Sequence, residues 1–231
     1  MDNSDKPNLG FIHRFIRPLN SDRFVGGEGR ENQGGASKKI SSTTFLLLHG
    51  TGGNEEDLIP LAYELDNTAS ILSPRGKVLE NGVAPRFFRR LAEGVFDIKD
   101  LKFRTNELAN FVNNASKAYG FDMHDLIAIG YSNGANIASS MLLLSPEILS
   151  GAILFRAMVP LIPEVLPDLT NKHIFMSAGM HDPIVSRQET ESLFGLFKKA
   201  GAKVSLYWQR SGHELRVDEV KKAKEWLHSF S

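Results

Sequence analysis

Short apolar runs, each leading into a helical pattern, recur along this 231-residue chain and restrict what it can fold into. Thr44–Leu48, 69–72, 126–129, Gly151–Phe155, 172–178 and 203–208 read as strands. Helical patterns cover 54–66, 100–119, 135–144, 187–200 and 218–230. Most of the strands are apolar at consecutive positions, as expected when helices cover both faces of a parallel sheet. The alternation indicates an α/β fold, a doubly wound, mostly parallel central sheet with helices on both faces and no large lid domain. Residues 10–18 add one more strand, and a single domain over 1–231 is expected. Five glycines among polar residues between Gly26 and Ser37 mark 26–40 as a mobile surface loop. Asn54 is placed to cap the first helix, with Glu55, Glu56 and Asp57 at its positive end, and Asp218 with Glu219 to do the same for the last.

Composition excludes several classes of function. Lys and Arg number 27 and Asp and Glu 27, so the formal charge is zero and no field grips a phosphate backbone; nucleic acid is not expected as a partner. With no cysteine, disulfides, Cys-ligated metals and a cysteine nucleophile are ruled out. The first thirty residues hold no apolar leader, and no run is long enough to span a bilayer, so a cytoplasmic protein without membrane insertion is expected.

The most informative passage runs from Leu126 through Gly130-Tyr131-Ser132-Asn133-Gly134 into a helix of small residues. A strand-to-helix turn this tight strains Ser132 and leaves no room for side chains at 130 and 134, pushing the serine oxygen above the sheet at a helix N-terminus. A phosphate-binding turn is the alternative, but no Walker lysine or Gly-x-Gly-x-x-Gly accompanies it. Upstream, Leu46-Leu47-Leu48-His49-Gly50-Thr51-Gly52-Gly53 ends another strand in glycines, suiting close backbone approach to an oxyanion. The backbone N–H groups of Thr51 and Asn133 are the natural donors; His49 reads as a brace for the loop.

A serine nucleophile needs a histidine base and a carboxylate to orient it. Asp182, just past the buried strand 172–178, fits better than Asp168 in its proline-flanked connection. Of the later histidines, His173 begins a strand, His181 adjoins the acid and His228 belongs to the last helix. His213, in the loop between the last strand and the last helix, has the right edge and the order Ser, Asp, His.

Taken together, Leu-Leu-Leu-His-Gly-Thr-Gly-Gly, Ser73-Pro74-Arg75-Gly76, Gly-Tyr-Ser-Asn-Gly-Ala-Asn, Gly-Met-His-Asp-Pro-Ile-Val and Ser-Gly-His-Glu resemble the small α/β-hydrolases of the carboxylesterase and lysophospholipase family, which includes the acyl-protein thioesterases. Arg86-Phe87-Phe88-Arg89-Arg90 and the segment from Leu154 to Pro160 resemble its bacterial branch related to hydroquinone-responsive hydrolases of bacilli. The resemblance implies Ser132 as nucleophile, Asp182 and His213 as its partners, Thr51 and Asn133 as oxyanion donors, no metal or organic cofactor, and homodimers in several relatives. Position 133 is Asn where many relatives carry Gln, a change without consequence if only the backbone N–H acts. The resemblance also places Met158 and Val159 near an acyl pocket. Phe87 and Phe88, in an arginine-rich stretch read as helical, are candidates to roof its entrance, the alternative being an amphipathic surface helix.

The expected activity is hydrolysis of small or flexible carboxylic esters through an acyl-enzyme, rising with pH as His213 loses its proton. Thioester or lysophospholipid cleavage by the same residues is the enzymatic alternative. A ligand-binding sensor on the same fold is the non-enzymatic one.

Overall fold

The computed structural model describes residues 7–18 and 41–229. The glycine-rich segment 26–40 lies outside them. The sheet is built from seven strands. In chain order they are β1 (His13–Ile16), β2 (Thr44–Leu48), β3 (Ser70–Pro74), β8 (Leu126–Tyr131), β9 (Gly151–Phe155), β10 (His173–Gly179) and β11 (Lys203–Gln209). The strands β4 (Val78–Glu80), β5 (Ala84–Arg86), β6 (Arg90–Ala92) and β7 (Val95–Phe96) form two small hairpins between β3 and the next helix. The sheet order is β1-β3-β2-β8-β9-β10-β11, with β1 antiparallel and every other pairing parallel. Among the described residues five α-helices cover it: α1 (Ile59–Leu65), α2 (Ile98–Tyr119), α3 (Asn133–Leu144), α4 (Arg187–Lys199) and α5 (Val217–Leu227). This is the α/β-hydrolase architecture, and the described residues hold no large additional domain.

The consecutive apolar residues of the strands have the expected cause. In β2, Leu46 and Leu48 enter the core beneath α2, α3 and α4, while Phe45 and Leu47 enter the opposite core beneath α1 and α5. β8 divides in the same way, with Leu126 and Ala128 on one face and Ile127 and Ile129 on the other. Both faces are dry, so neither alternate set can be polar.

Two local expectations are corrected. Asn54 does not cap a helix. Its Oδ1 accepts from the Glu56 N–H at 2.7 Å in a turn, and α1 begins only at Ile59, where Pro60 fits a first helical turn that needs no N–H. Glu55 is drawn away to Arg75, whose Nη2 donates to it at 2.8 Å. The stretch around Phe87 and Phe88 is not helical either. It links β5 to β6, with Pro85 in the first hairpin and left-handed turn residues Asn81, Gly82 and Gly94 (φ 51°, 75° and 71°) reversing the chain.

Candidate active site

The parallel strands all point their C-terminal ends to one edge, where an α/β sheet opens its crevice. Ser132 follows β8, the fourth of seven strands; Thr51 follows β2, Met158 β9, Asp182 β10 and His213 β11. Topology alone thus gathers residues separated by up to about 160 positions in sequence.

Ser132 sits at φ 51°, ψ −112°, a conformation disfavoured for a side-chain-bearing residue and held by its surroundings. Its N–H extends the sheet ladder to Phe155 O at 2.9 Å, and its carbonyl accepts from Asn136 N at 2.9 Å as α3 begins. The flanking glycines are forced. A Cβ on Gly134 would lie 1.8 Å from Leu48 O, and one on Gly130 2.6 Å from Ala135 Cα.

A continuous chain of hydrogen bonds joins the three predicted side chains. His213 Nε2 lies 3.0 Å from Ser132 Oγ, and His213 Nδ1 lies 2.8 Å from Asp182 Oδ2. The Asp182 side chain is 1% exposed, and its other oxygen accepts from the N–H groups of Ile184 (2.8 Å) and Val185 (3.0 Å). Both carboxylate oxygens therefore have donors, as a buried charge requires. Such a relay lets the imidazole take a proton from the serine while the carboxylate fixes its tautomer.

Around Ser132 lies a cavity of about 280 Å³, with Thr51, Asn133, Met158 and His213 in its walls. Asn133 is the first residue of α3, where a helix leaves its N–H without an internal partner. Phe87, Phe88 and Val159, expected at the pocket, are not among the residues lining it. Phe87 and Phe88 are 2% and 0% exposed and belong to the main core, where Phe87 packs on the His49 ring. Val159 is half-buried against the same core and donates its N–H to Glu189 Oε2 at 3.2 Å. The expectation that the Asn133 side chain is idle is also corrected. Its Oδ1 accepts from Phe87 N at 2.7 Å and ties the hairpin segment to the serine turn.

Known proteins resemble this chain in sequence and in fold. The model of the phospholipase/carboxylesterase family matches residues 35–231. The chain belongs to that family. It is 48% identical to MhqD of Bacillus subtilis (strain 168), named as a hydrolase, over 82% of this chain and 94% of the relative. The Bacillus cereus carboxylesterase structure matches with a TM-score of 0.85 and 47% identity, covering 96% of this chain and 95% of its own. A structure of YahD with malic acid matches with a TM-score of 0.81 and 30% identity, covering 96% and 100%. An esterase-type hydrolase is the class these relatives support.

In this family member, sequence reasoning missed the support beneath the relay. Arg156 closes β9 with φ 59° and a fully buried side chain. Its guanidinium binds both oxygens of the equally buried Glu219 at 2.6 and 2.8 Å. It also donates to Gly212 O at 3.1 Å, Ser211 Oγ at 3.1 Å and Glu214 O at 2.6 Å, the residues on either side of His213. Glu219, read from sequence as a helix-dipole residue, does accept from Arg216 N at 2.6 Å at the start of α5, but its main partner is this arginine. A charge directly after five apolar strand residues was the available signal. Tyr131 adds a further tie, its hydroxyl donating to His213 O at 2.9 Å.

His49 braces the loop after β2. Its Nδ1 contacts Gly50 O at 2.7 Å, and its Nε2 accepts from Gly76 N at 2.9 Å. Burial lowers its pKa below the ordinary imidazole value and keeps the ring neutral, which matches one nitrogen donating and the other accepting. Among the described residues no cluster of His, Asp and Glu could hold a metal ion, and no helix is long and apolar enough to cross a membrane.

Proposed function

We propose that this family member is a serine hydrolase cleaving small carboxylic esters through an acyl-enzyme. The observation that carries the reading is the unbroken Ser132–His213–Asp182 relay at 3.0 and 2.8 Å, with its serine at a strained strand-to-helix turn.

Ser132 Oγ attacks the acyl carbon while His213 Nε2 takes its proton, and Asp182 stabilises the imidazolium. The carbonyl oxygen becomes an oxyanion, received by the backbone N–H groups of Thr51 and Asn133 at the positive end of α3. Collapse breaks the bond to the alcohol oxygen, which leaves with the proton from His213. Water then attacks the acyl-serine with His213 again as base, releasing the acid and restoring Ser132.

The cavity volume, about 280 Å³, falls just below the range of about 300–1,000 Å³ usual for ligand pockets and supports short substrates over long-chain lipids. Malic acid in the matched YahD structure is a ligand of that scale. A fluorophosphonate probe should label Ser132, and Ser132→Ala should abolish labelling and lower kcat for aryl acetates by about 10⁴–10⁶-fold. Near-full activity in that variant would remove the proposal.

A further inference from the structure

The cavity wall formed by the two hairpins carries charge that ester cleavage itself does not use. Arg86 and Arg90 both line the cavity around Ser132, and no Asp or Glu is among its described lining residues. Their one shared carboxylate is Glu80, which accepts from Arg86 Nη1 at 3.1 Å and Arg90 Nε at 2.6 Å. Glu80 is absent from that lining and lines a neighbouring cavity between the hairpins, which Arg86 and Arg90 line as well. Two guanidinium groups against one carboxylate leave a net positive charge on the wall that the two cavities share.

The donors on this wall are also incompletely used. Arg86 is 3% exposed, and its remaining protein bonds are Nη1 to Thr51 Oγ1 at 2.7 Å and Nε to Phe88 O at 3.2 Å. Its Nη2 has no protein acceptor among the described residues. Asn133 is buried, and its Oδ1 must face the Phe87 N–H, because a backbone amide can only donate. That fixes Nδ2 as the other amide atom, and it is buried without a partner among the described residues. Asn136 is oriented likewise, its Oδ1 accepting from Met158 N at 2.8 Å. Both asparagines line the cavity. Asn133 Nδ2 is thus a buried donor facing no protein acceptor, and a ligand in the cavity that Asn133 lines can supply one.

We propose that the preferred substrate is an ester bearing a free carboxylate a few atoms from the scissile bond, held by Arg86 and Arg90 and completed by the amides of Asn133 and Asn136. The contact of Arg86 with Thr51 puts this subsite beside the reacting carbonyl, and a planar guanidinium suits a carboxylate. The carboxylate belongs either to the acyl half, as in the half-ester of a dicarboxylic acid, or to the alcohol half, as in an acylated hydroxy acid. This inference rests on the esterase reading above.

The test compares kcat/KM within two isosteric pairs. Monoethyl succinate is set against ethyl 4-methylpentanoate, and 4-acetoxybenzoate against 4-isopropylphenyl acetate. At low ionic strength the anionic member of at least one pair should be favoured by about 10-fold or more, and which pair responds tells which half carries the charge. In Arg90→Met that ratio should collapse to about one or below, while Arg90→Lys should keep part of it. Fluorophosphonate labelling of Ser132 verifies that each variant is folded and reactive. Labelling and turnover of neutral esters with no anionic preference in either pair would overturn the carboxylate subsite and leave the esterase reading intact. A preference untouched by Arg90→Met would overturn its assignment to this wall. Absence of labelling and of all turnover would overturn both.

Discussion

Arg156→Met separates stability from catalysis at the base of the relay. The substitution leaves the Glu219 carboxylate fully buried, with only Ser177 Oγ and Arg216 N still donating to it among the described residues. It also removes the donor to Gly212 O and Glu214 O, which bracket His213. Breaking a buried ion pair from one side costs about 3–5 kcal/mol. At about 2–4 °C per kcal/mol for a chain of this size, the Tm should fall by about 6–20 °C. Assayed well below that Tm, kcat for a short ester should still fall, by about 10²-fold if the histidine loop moves by about 1 Å. Removing Glu219 as well, in Arg156→Met/Glu219→Met, takes away the unpaired charge and should restore much of the Tm. It should not restore kcat, because the loop carbonyls still lack their donor and the buried Asp182, whose Oδ2 lies 3.9 Å from Arg156 Nε, still lacks that cation. Thermal melts and steady-state kinetics on both variants decide the matter. A single variant with full kcat at low temperature would show that Arg156 does not position His213. A double variant as unstable as the single would refute the buried-charge argument.

Two further perturbations follow from particular contacts. Gly134→Ala places a Cβ 1.8 Å from Leu48 O, a backbone atom, so the serine turn cannot close. A destabilisation above about 4 kcal/mol, read by denaturant melts, is expected together with loss of Ser132 labelling. For His49 the folded pKa is lowered by burial, so the folded state binds fewer protons than the unfolded chain. Its contribution is complete above the ordinary imidazole value of 6.5 and is lost as pH falls below it. The Tm should therefore drop between about pH 7 and pH 5, and less steeply in His49→Gln, which offers Gly76 an acceptor that does not titrate. Parallel slopes in the two proteins would refute that role.

The parts legible in the sequence were those fixed by short-range geometry. Thr44–Leu48 and Gly151–Phe155 appear as strands at the expected residues because both faces are covered, leaving an unbroken apolar run with polar edges. Gly130 and Gly134 could be interpreted because their reason is local: a Cβ would strike the adjacent turn or strand. The places of Asp182 and His213 followed from strand order. The helical reading of 86–90 failed because Phe-Phe between arginines fits a helix face as well as the crossing between two hairpins. The choice is made by Asn133, 46 residues away, accepting the Phe87 N–H. Arg156 and Glu219 escaped for the same reason. They are 63 residues apart, and each alone has an ordinary reading, one as a strand-end charge and the other as a helix-start carboxylate.

This difference in range separates reactivity from selection. The residues proposed to react belong to loops after β2, β8, β10 and β11, whose positions are fixed by ladder bonds, by a strained backbone at Ser132 and by the Arg156 network. The cavity wall opposite them comes from one stretch between β3 and α2, which supplies Arg86, Arg90, Gly94 and Phe96. That stretch is joined to the loop after β2 through Arg86 with Thr51 and to the serine turn through Phe87 with Asn133. A change at Arg90, which makes neither contact, can alter which ester is held while the relay distances stay as they are. A change at Arg86 cannot, because the same guanidinium fixes the hydroxyl of the residue offered as oxyanion donor. Selection and rate should thus separate at position 90 and remain coupled at position 86.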